Sequence, residues 1–464
     1  MSRPGVRTAS LVALVIVLAA GAGTAGFFET RALRSHRDPA PSASAAPTAW
    51  PAALSAATAA PAPVVTAGAG QVPAAAAVAR ALAAPVRDPA LGSRLLAQVI
   101  DVDSGTSLFA DRPGTPAAPA STAKLLTAAA VLAAYPGTHR FTTSVATGAG
   151  GALVLVGGGD PTLTAAAAGK AADYPGAARI SDLAAQLHGV PVTRIVVDDS
   201  LFAGPSVSPD WAAEDVPSSY ASAITAVLAD GGRARPGDAI RSAAPDLAAG
   251  HALAAALGHA DLPVTRGAAP SGARTLATVR SAPLRELVEQ MLQQSDNVIA
   301  EVLARQVAVA RHLPASFTGA AAAVRAELAG LGVQVGAGLR DGSGLAAADR
   351  VSPAALAAVL RLAATGPAGP RALLAGLPVA AWSGTLADRY LGGRAVAAGA
   401  GAVRAKTGTL TGVSSLAGVV HTRDGRLLAF ALIADRVAPG AAATDAADAA
   451  LDAIAAALAR CGCS

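Results

Sequence analysis

The amino-acid sequence predicts an α+β protein with one antiparallel sheet and helices packed against it. Strand-like segments lie at both ends of the folded part, at residues 95–111 and 401–435, and helical segments fill much of the interval between them. Strands and helices segregated along the chain in this way are typical of the α+β class. A length of 464 residues allows two or three domains with a full hydrophobic core.

The N-terminal end predicts export. Arg3 and Arg7 precede a run of uncharged, mostly apolar residues at 9–28, which is about the length that spans a bilayer. We therefore expect a membrane anchor or a cleaved signal peptide within residues 1–37, and either one places the rest of the chain outside the cytoplasm. Residues 38–75 are rich in Ala, Pro, Ser and Thr, a composition that predicts an extended linker.

The first half of the folded part predicts a hairpin, a helix and short strands. Two apolar runs flank a DSGT turn at residues 103–106, which indicates a β-hairpin. Residues 121–135 predict a helix with Ser121 near its start. Short strands are expected at residues 151–159 and 193–202, mixed with helical pieces.

The second half predicts helices followed by antiparallel strands. Residues 282–308 predict two helical segments broken near Ser295. Residues 401–435 predict antiparallel strands, with the clearest turn at the Asp-Gly pair at 424–425. Residues 444–460 predict a closing helix with apolar side chains on one face, at Leu451, Ile454 and Leu458.

Composition argues against several classes of function. The formal net charge is +5, and the basic residues are scattered without interleaved aromatic residues, so we expect no nucleic-acid partner. The seven histidines show no metal-ligand spacing, so neither a metal nor a cofactor is expected. Cys461 and Cys463 are too few for a zinc site. They could pair with each other, although a spacing of one residue strains the bridge, and they are interpreted as part of a disordered tail.

The scarcity of lysine makes one motif conspicuous. Of the 36 Lys+Arg residues, only Lys124, Lys170 and Lys406 are lysines. An arginine cannot lose its proton in a protein, whereas a lysine amine can when its pKa is lowered. Ser121 and Lys124 are three positions apart, so on a helix their hydroxyl and amine share a face. A neutral lysine there would activate the serine as a nucleophile, whereas a serine cap beside a solvated lysine is the simpler alternative.

The chain has a single asparagine, Asn297, two positions after Ser295. In a turn or an extended segment, residues i and i+2 project to the same side, so the hydroxyl and the amide can face one site. The alternative is that Ser295 or Asp296 caps the helix that follows.

The third motif is RAKTGTL, just before the last strands. Lys406, Thr407 and Thr409 offer a cation and two hydroxyls along a strand edge, and Gly408 lets a ligand backbone approach closely. Such a strip suits an extended peptide that ends in a carboxylate. The alternative is a solvated lysine that protects an edge strand from aggregation.

The three motifs S-x-x-K, S-D-N and K-T-G, in this order, resemble the signature of penicillin-interacting serine enzymes. Ser295 lies 174 positions after Ser121, and Lys406 lies 111 positions after Ser295. The long first interval resembles the D-Ala-D-Ala carboxypeptidase/endopeptidase branch of the low-molecular-mass penicillin-binding proteins. Three further segments also resemble sequences of this branch, at residues 155–164, 196–204 and 339–353.

The resemblance covers about residues 80–460 and implies a split architecture. A transpeptidase-like domain, with an antiparallel sheet flanked by helices and an all-helical subregion, would be formed by residues 76–140 and 280–460. One or two inserted domains would occupy about residues 140–280. Asp160 and Asp341 lie in short glycine-rich segments and are interpreted as turn residues.

The resemblance also implies roles for the motif residues. Ser121 would be the nucleophile and Lys124 its base, with Asn297 orienting the lysine and the substrate amide. Ser295, helped by Lys406, would relay a proton to the leaving amine.

The third motif would hold the substrate. Lys406, Thr407 and Thr409 would bind the terminal carboxylate, and the backbone N–H groups of Ser121 and Thr409 would form an oxyanion hole. The expected partners are a peptidoglycan stem peptide as substrate, β-lactams as covalent inhibitors, and the membrane if the N-terminal segment is uncleaved.

Two other readings stay open. A β-lactamase or related esterase would use the same chemistry with faster deacylation, although the long first interval argues against it. A wall-binding scaffold with an idle site is the non-enzymatic alternative, although three intact motifs argue against it.

Overall fold

The computed structural model describes residues 70–462. The expected N-terminal anchor or signal peptide, most of the expected linker, and Cys463 lie outside this range. Within it, none of the helices combines the length and apolar character that crossing a bilayer requires.

The first sheet contains five antiparallel strands in the order β2-β1-β10-β9-β8. Its strands are β1 (Leu95–Asp101), β2 (Ser107–Asp111), β8 (Val403–Leu410), β9 (Val413–His421) and β10 (Leu427–Ala434). The predicted N-terminal hairpin and the predicted antiparallel C-terminal strands are therefore confirmed.

The middle of this sheet is buried on both faces. Along β10, Ala429, Ala431 and Ile433 pack into one apolar cluster, while Leu428 and Phe430 pack into the other. This alternation is the two-residue period of a strand between two layers of helices. One layer is made by α1 (Ala75–Leu82) and α11 (Ala441–Arg460).

The other layer is helical and carries two of the three motifs. It contains α2 (Lys124–Ala134), α5 (Leu284–Gln294), α6 (Asn297–Ala310), α7 (Phe317–Gly330), α8 (Pro353–Thr365) and α9 (Ala368–Gly376). The predicted break near Ser295 is confirmed, since this residue adopts a left-handed φ of 57° between α5 and α6. The short α10 (Gly393–Ala397) follows later in the chain.

A second five-stranded sheet comes entirely from residues 142–280, in the order β6-β5-β4-β3-β7. Its strands are β3 (Thr142–Thr147), β4 (Ala152–Val156), β5 (Arg194–Asp198), β6 (Val264–Arg266) and β7 (Thr275–Arg280). The helices α3 (Ile180–Gln186) and α4 (Pro245–Ala256) contribute to its core.

The sequence predicted strands near β4 and β5 but only one sheet for the whole chain. The second sheet was missed because β4, β5 and β6 are parallel. Strands in the middle of such a sheet read as continuous apolar runs without the alternation that marks a sheet with one exposed face.

The C-terminal end also differs from the prediction. Cys461 is buried against α11 and its neighbours and is disulfide-bonded, so the interpretation of a disordered tail is wrong for this residue.

Candidate active site

Ser121 lies in a short 3-10 turn, Ala120–Ala123, that leads directly into α2. Ala120 has a left-handed φ of 47°, a conformation that a residue with a side chain adopts at some energetic cost and that is enriched at functional sites. The turn is tied to the first sheet, because the hydroxyl of Ser415 on β9 donates to the carbonyl of Pro119 at 2.7 Å. The position of Ser121 is therefore fixed relative to the sheet edge.

Lys124 is fully buried and makes three hydrogen bonds through its amine. Nζ lies 2.9 Å from Ser121 Oγ, 2.6 Å from Asn297 Oδ1 and 2.9 Å from the carbonyl oxygen of Ser343. The predicted contact between the serine hydroxyl and the lysine amine is thus present. The simpler alternative of a solvated lysine does not fit a side chain with 0% exposure.

Burial lowers the pKa of Lys124 to about 8, because removal from water disfavours the ammonium form. The charges of four carboxyl groups oppose this shift, and that of Asp341 is the largest of them. A substantial fraction of the amine is therefore neutral in mildly alkaline solution.

The partners of Lys124 decide where a neutral amine directs its lone pair. Asn297 Oδ1 and the Ser343 carbonyl can only accept hydrogen bonds, so they take the two remaining N–H groups. Ser121 is the one partner of the three that can donate. The lone pair of the neutral amine consequently points at the Ser121 hydroxyl, which is the orientation that a general base needs.

Asn297 is held so that its oxygen faces the lysine. Its Nδ2 donates to the carbonyl of Tyr220 at 3.2 Å, which fixes the orientation of the amide. The preceding residue, Asp296, caps α6 by accepting from the backbone N–H of Ile299 at 3.0 Å. The S-D-N motif therefore contains both the contact of Asn297 with the lysine and the helix cap at Asp296.

Ser295 occupies the half-buried corner between α5 and α6. Within residues 70–462, no hydrogen bond joins its hydroxyl to Lys124 or to Lys406. The structure thus brings Ser121, Lys124 and Asn297 together directly and leaves Ser295 beside them.

Lys406 is also fully buried, on β8, and its Nζ donates to the carbonyl of Thr407 at 2.8 Å. Burial holds the pKa of Lys406 well below its usual range, and the nearby Lys124 and Arg389 lower it further. The alternative of a solvated edge lysine is therefore wrong for Lys406.

Gly408 lies where β8 passes close to the backbone of Ser121. A β-carbon at this position would stand 2.9 Å from the backbone nitrogen of Ser121 and 2.9 Å from the Pro119 carbonyl oxygen, closer than such atoms approach. Only glycine lets the strand and the nucleophile turn lie this close. The requirement for glycine at this position thus comes from the protein's own atoms, which include the Ser415 hydroxyl, and close approach of a ligand backbone stays a prediction.

The backbone of β8 presents alternate N–H groups to its outer edge. On that edge, Ala380 N donates to the Val403 carbonyl and Ala405 N donates to the Pro378 carbonyl, both at 3.0 Å. Because the direction of the backbone groups alternates along an antiparallel strand, Thr407 and Thr409 direct theirs to the same outer edge.

Thr385, which the sequence does not single out, also contacts the K-T-G segment of β8. Thr385 accepts a hydrogen bond at 2.8 Å from the hydroxyl of Thr407, and so fixes the side chain of the K-T-G threonine. Nothing in the sequence distinguished Thr385 from the other threonines, and only the fold brings it to β8.

The contact between Lys124 and the turn at residues 341–346 was not predicted from the sequence either. The backbone carbonyl of Ser343 in this turn is a direct partner of Lys124, and Asp341 accepts backbone hydrogen bonds within the turn. The interpretation of Asp341 and Asp160 as turn residues agrees with the geometry, since Asp160 likewise accepts from the N–H of Thr162 at 2.8 Å.

This arrangement has the groups that serine acyl transfer requires: a hydroxyl and, 2.9 Å away, a buried amine that can accept its proton, beside the edge strand of an antiparallel sheet. A model of the D-Ala-D-Ala carboxypeptidase 3 (S13) family matches residues 78–238 and 234–458, and the chain belongs to that family.

Two curated relatives agree with this assignment. A carboxypeptidase of Mycobacterium tuberculosis is 43% identical over 298 residues, which cover 62% of this chain and 64% of that protein. The carboxypeptidase DacB of Mycolicibacterium smegmatis is 43% identical over 297 residues, with the same coverage. The chain thus spans somewhat less than two thirds of the length of the curated relatives it matches.

Solved structures support the fold. Penicillin binding protein 4 of Haemophilus influenzae superposes with a TM-score of 0.67 at 22% identity, covering 82% of this chain and 97% of that one. The same protein complexed with a novel β-lactam gives a TM-score of 0.58 at 23% identity.

Proposed function

We propose that the protein is a serine D-Ala-D-Ala carboxypeptidase/endopeptidase that acts on peptidoglycan stem peptides through an acyl-enzyme on Ser121 and is inhibited by β-lactams. The observation that carries this proposal is the buried Lys124 amine, 2.9 Å from Ser121 Oγ and with two obligate acceptors on its other side. Membership of the carboxypeptidase family supplies the substrate class.

Acylation begins at the carbonyl of the penultimate D-Ala. Ser121 Oγ attacks this carbon while its proton passes to Lys124 Nζ, which is neutral above its lowered pKa. The C–N bond to the terminal D-Ala then breaks, and the leaving amine takes up a proton relayed by Ser295 with the help of Lys406. Water hydrolyses the resulting ester and regenerates Ser121.

Two groups of donors stabilise and orient the substrate. The backbone N–H groups of Ser121 and Thr409 form the oxyanion hole, and two observations support this. A β-carbon at Gly408 would stand 2.9 Å from the Ser121 nitrogen, and the alternation along β8 directs the Thr409 N–H to the outer edge of the strand. The terminal carboxylate binds to Lys406, Thr407 and Thr409.

The intervening residues, about 140–280, form the inserted region of a transpeptidase-like domain built from residues 76–140 and 280–460. The second sheet, which uses residues 142–280, supports these bounds. The protein acts outside the cytoplasm, attached to the membrane or secreted according to whether the N-terminal segment is cleaved. The disulfide bond of Cys461 supports export, because disulfides persist in oxidising compartments.

Intact mass spectrometry tests the proposal most directly. The purified chain and its Ser121→Ala variant are incubated with benzylpenicillin, and a persistent adduct is expected on the wild type alone. Release of D-Ala from a stem pentapeptide measures the carboxypeptidase activity, and cleavage of a cross-linked dimer measures the endopeptidase activity.

The alternatives give different outcomes. Loss of the penicillin without an adduct would identify a β-lactamase or a related esterase. No adduct and no turnover would favour the idle scaffold, whose cellular role would then survive the Ser121→Ala substitution.

A further inference from the structure

The turn at residues 341–346 packs directly beneath the nucleophile. Gly344 has a φ of 79°, and a side chain there would overlap the carbonyl oxygen of Ala120, the residue before Ser121. One residue earlier, the Ser343 carbonyl accepts the hydrogen bond from Lys124 Nζ at 2.9 Å. The position of this turn therefore determines the position of one of the three partners of the base.

The carboxyl group of Asp341 accepts hydrogen bonds from the backbone N–H groups of this turn. Its Oδ1 accepts from the backbone N–H groups of Ser343 at 3.1 Å and Gly344 at 2.6 Å. Its Oδ2 accepts from the backbone N–H of Ala346 and from the indole N–H of Trp211, both at 2.8 Å. Four N–H donors converge on the two oxygens of a side chain with 0% exposure, an arrangement that suits a carboxylate, which only accepts hydrogen bonds.

Two further side chains hold Gly342, the neighbour of Ser343. The backbone N–H of Gly342 donates to both carboxyl oxygens of Glu301 at 3.0 Å, and its carbonyl accepts from the Thr127 hydroxyl at 2.6 Å. Thr127 lies on α2, one turn after Lys124. Lys124 is thus part of α2, and the turn that accepts its hydrogen bond is also hydrogen-bonded to α2 through Thr127.

We propose that Asp341 is a positioning residue for the base: it fixes the Ser343 carbonyl against Lys124, and its buried negative charge favours the protonated form of the amine. This inference rests on the proposed function, because it assigns a role within the acylation of Ser121. It adds a fourth segment to the site, outside the three sequence motifs.

The charged and titratable groups that face Lys124 come from three elements. They are Asp296 and Glu301 of α6 and its cap, Asp341 and Asp349 of the turn and the residues after it, and Lys406 of β8.

These groups do not act equally on the lysine. Asp296 is paired with Arg241 at 2.7 Å, which balances its charge. Burial, followed by the charge of Asp341, raises the pKa of Asp349 to about 10 and that of Glu301 to about 8. A raised pKa favours the neutral form of Asp349 and Glu301. We assign the uncompensated negative charge to Asp341, because its two oxygens accept four N–H hydrogen bonds.

The test is the pH profile of acylation by benzylpenicillin, followed by intact mass, for the wild type and Asp341→Asn. We expect the rate constant of the variant at its alkaline plateau to fall by about tenfold or more. We also expect its midpoint to move to lower pH by roughly half a unit or more, because loss of the carboxylate favours the neutral amine. A purely structural role would lower the rate and leave the midpoint unchanged.

Asp349→Asn is the matched control. Asp349 is buried beside Asp341, and its Oδ1 accepts from the backbone N–H of Arg340 at 2.6 Å, a contact that an asparagine oxygen preserves. Because this carboxyl is already protonated, we expect the midpoint of the control to stay within about 0.2 unit of the wild type. An equal shift in both variants would overturn the assignment of the charge to Asp341.

Thr127→Val keeps the inference testable if Asp341→Asn does not fold. The substitution preserves shape and charge but removes the hydrogen bond to Gly342, so we expect a lower rate with a wild-type midpoint. A wild-type rate in Thr127→Val, or a wild-type rate and midpoint in a folded Asp341→Asn, overturns the inference alone. A wild-type chain that takes no adduct overturns the proposed function and this inference with it.

Discussion

Arg241 and Asp296 form a buried ion pair, with 2.7 Å between Nη2 and Oδ2, that joins the 142–280 segment to the S-D-N motif. The hydroxyl of Tyr174 donates to the same carboxylate oxygen at 2.7 Å, and the carbonyl of Tyr220 accepts from Asn297. Although burial acts to raise it, the pKa of Asp296 is lowered to about 2, chiefly by Arg241. Three residues of the intervening segment therefore hold the second motif in place.

Arg241→Met is expected to lower the free energy of unfolding by about 3–5 kcal/mol, because it leaves the carboxylate of Asp296 buried without its partner. The addition of Asp296→Asn should recover part of this loss. Urea unfolding of both single variants and the double variant measures the effect. The half-exposed pair of Arg311 and Glu327 is the control, and Arg311→Met should cost about 0–1 kcal/mol. Equal losses in the two arginine variants would contradict the prediction.

Lys124→Arg is expected to abolish the penicillin adduct. An arginine keeps the positive charge but cannot accept the proton of Ser121, and its larger planar group does not fit the three partners of the amine. Lys170→Arg is the matched control, because Lys170 is exposed and lies outside the site. Intact mass after incubation with benzylpenicillin distinguishes them, and labelling of Lys124→Arg at the wild-type rate would exclude Lys124 as the base.

The acylation rate should rise with pH through the lowered pKa of Lys124, which is about 8. The base acts in its neutral form, so below the midpoint the rate should fall about tenfold for each pH unit. The measurement is the acylation rate constant of the wild type across mildly acid to alkaline buffers. A rate that stays constant from pH of about 6 to about 9 would mean that the neutral lysine is not required.

Gly408→Ala is expected to reduce acylation by about a hundredfold or more, since an added methyl group pushes β8 away from the backbone of Ser121 and misplaces the N–H groups proposed as oxyanion donors. Gly114→Ala is the control, because a β-carbon at Gly114 meets no atom within 4 Å. Acylation rates and thermal melts are recorded for both. A folded Gly408→Ala chain with the wild-type rate would show that the strand and the nucleophile need not lie so close.

Thr385→Val removes the partner of the Thr407 hydroxyl and should weaken binding of the substrate carboxylate. The loss of one such hydrogen bond, about 1 kcal/mol, corresponds to roughly a fivefold higher KM for a D-Ala-D-Ala peptide. Thr365→Val, at the exposed end of α8, serves as the control. A change confined to kcat would instead indicate that Thr385 acts on the chemical step.

The sequence predicted the centre of the site because rare residues occur there. A lysine three positions after a serine, in a chain with only three lysines, and a single asparagine both stood out. The carbonyls of Ser343 and Tyr220 could not be predicted in the same way, since every residue has a carbonyl group and only the fold selects two of them.

The ion pair of Arg241 and Asp296 could not be predicted from the sequence, for a different reason. Asp296 also caps α6, so its local role fully explained the residue before the fold was known. Its partner lies 55 positions away, in a segment where the parallel strands of the second sheet gave no alternating pattern. Long-range electrostatic pairs of this kind carry no periodic signal in one sequence.

Because β1 pairs with β10, the first sheet can be completed only when the C-terminal part of the chain is available. Leu95 lies opposite Ala434, so β1 cannot form its hydrogen bonds to β10 until the last strand of the chain has been made. Contacts between such distant segments form slowly, because a long loop must be closed first. A nascent chain already contains Ser121 and Lys124 yet lacks β8 and the turn at 341–346. We therefore expect covalent penicillin labelling to report completion of folding, and a chain that ends before β8 to stay unlabelled.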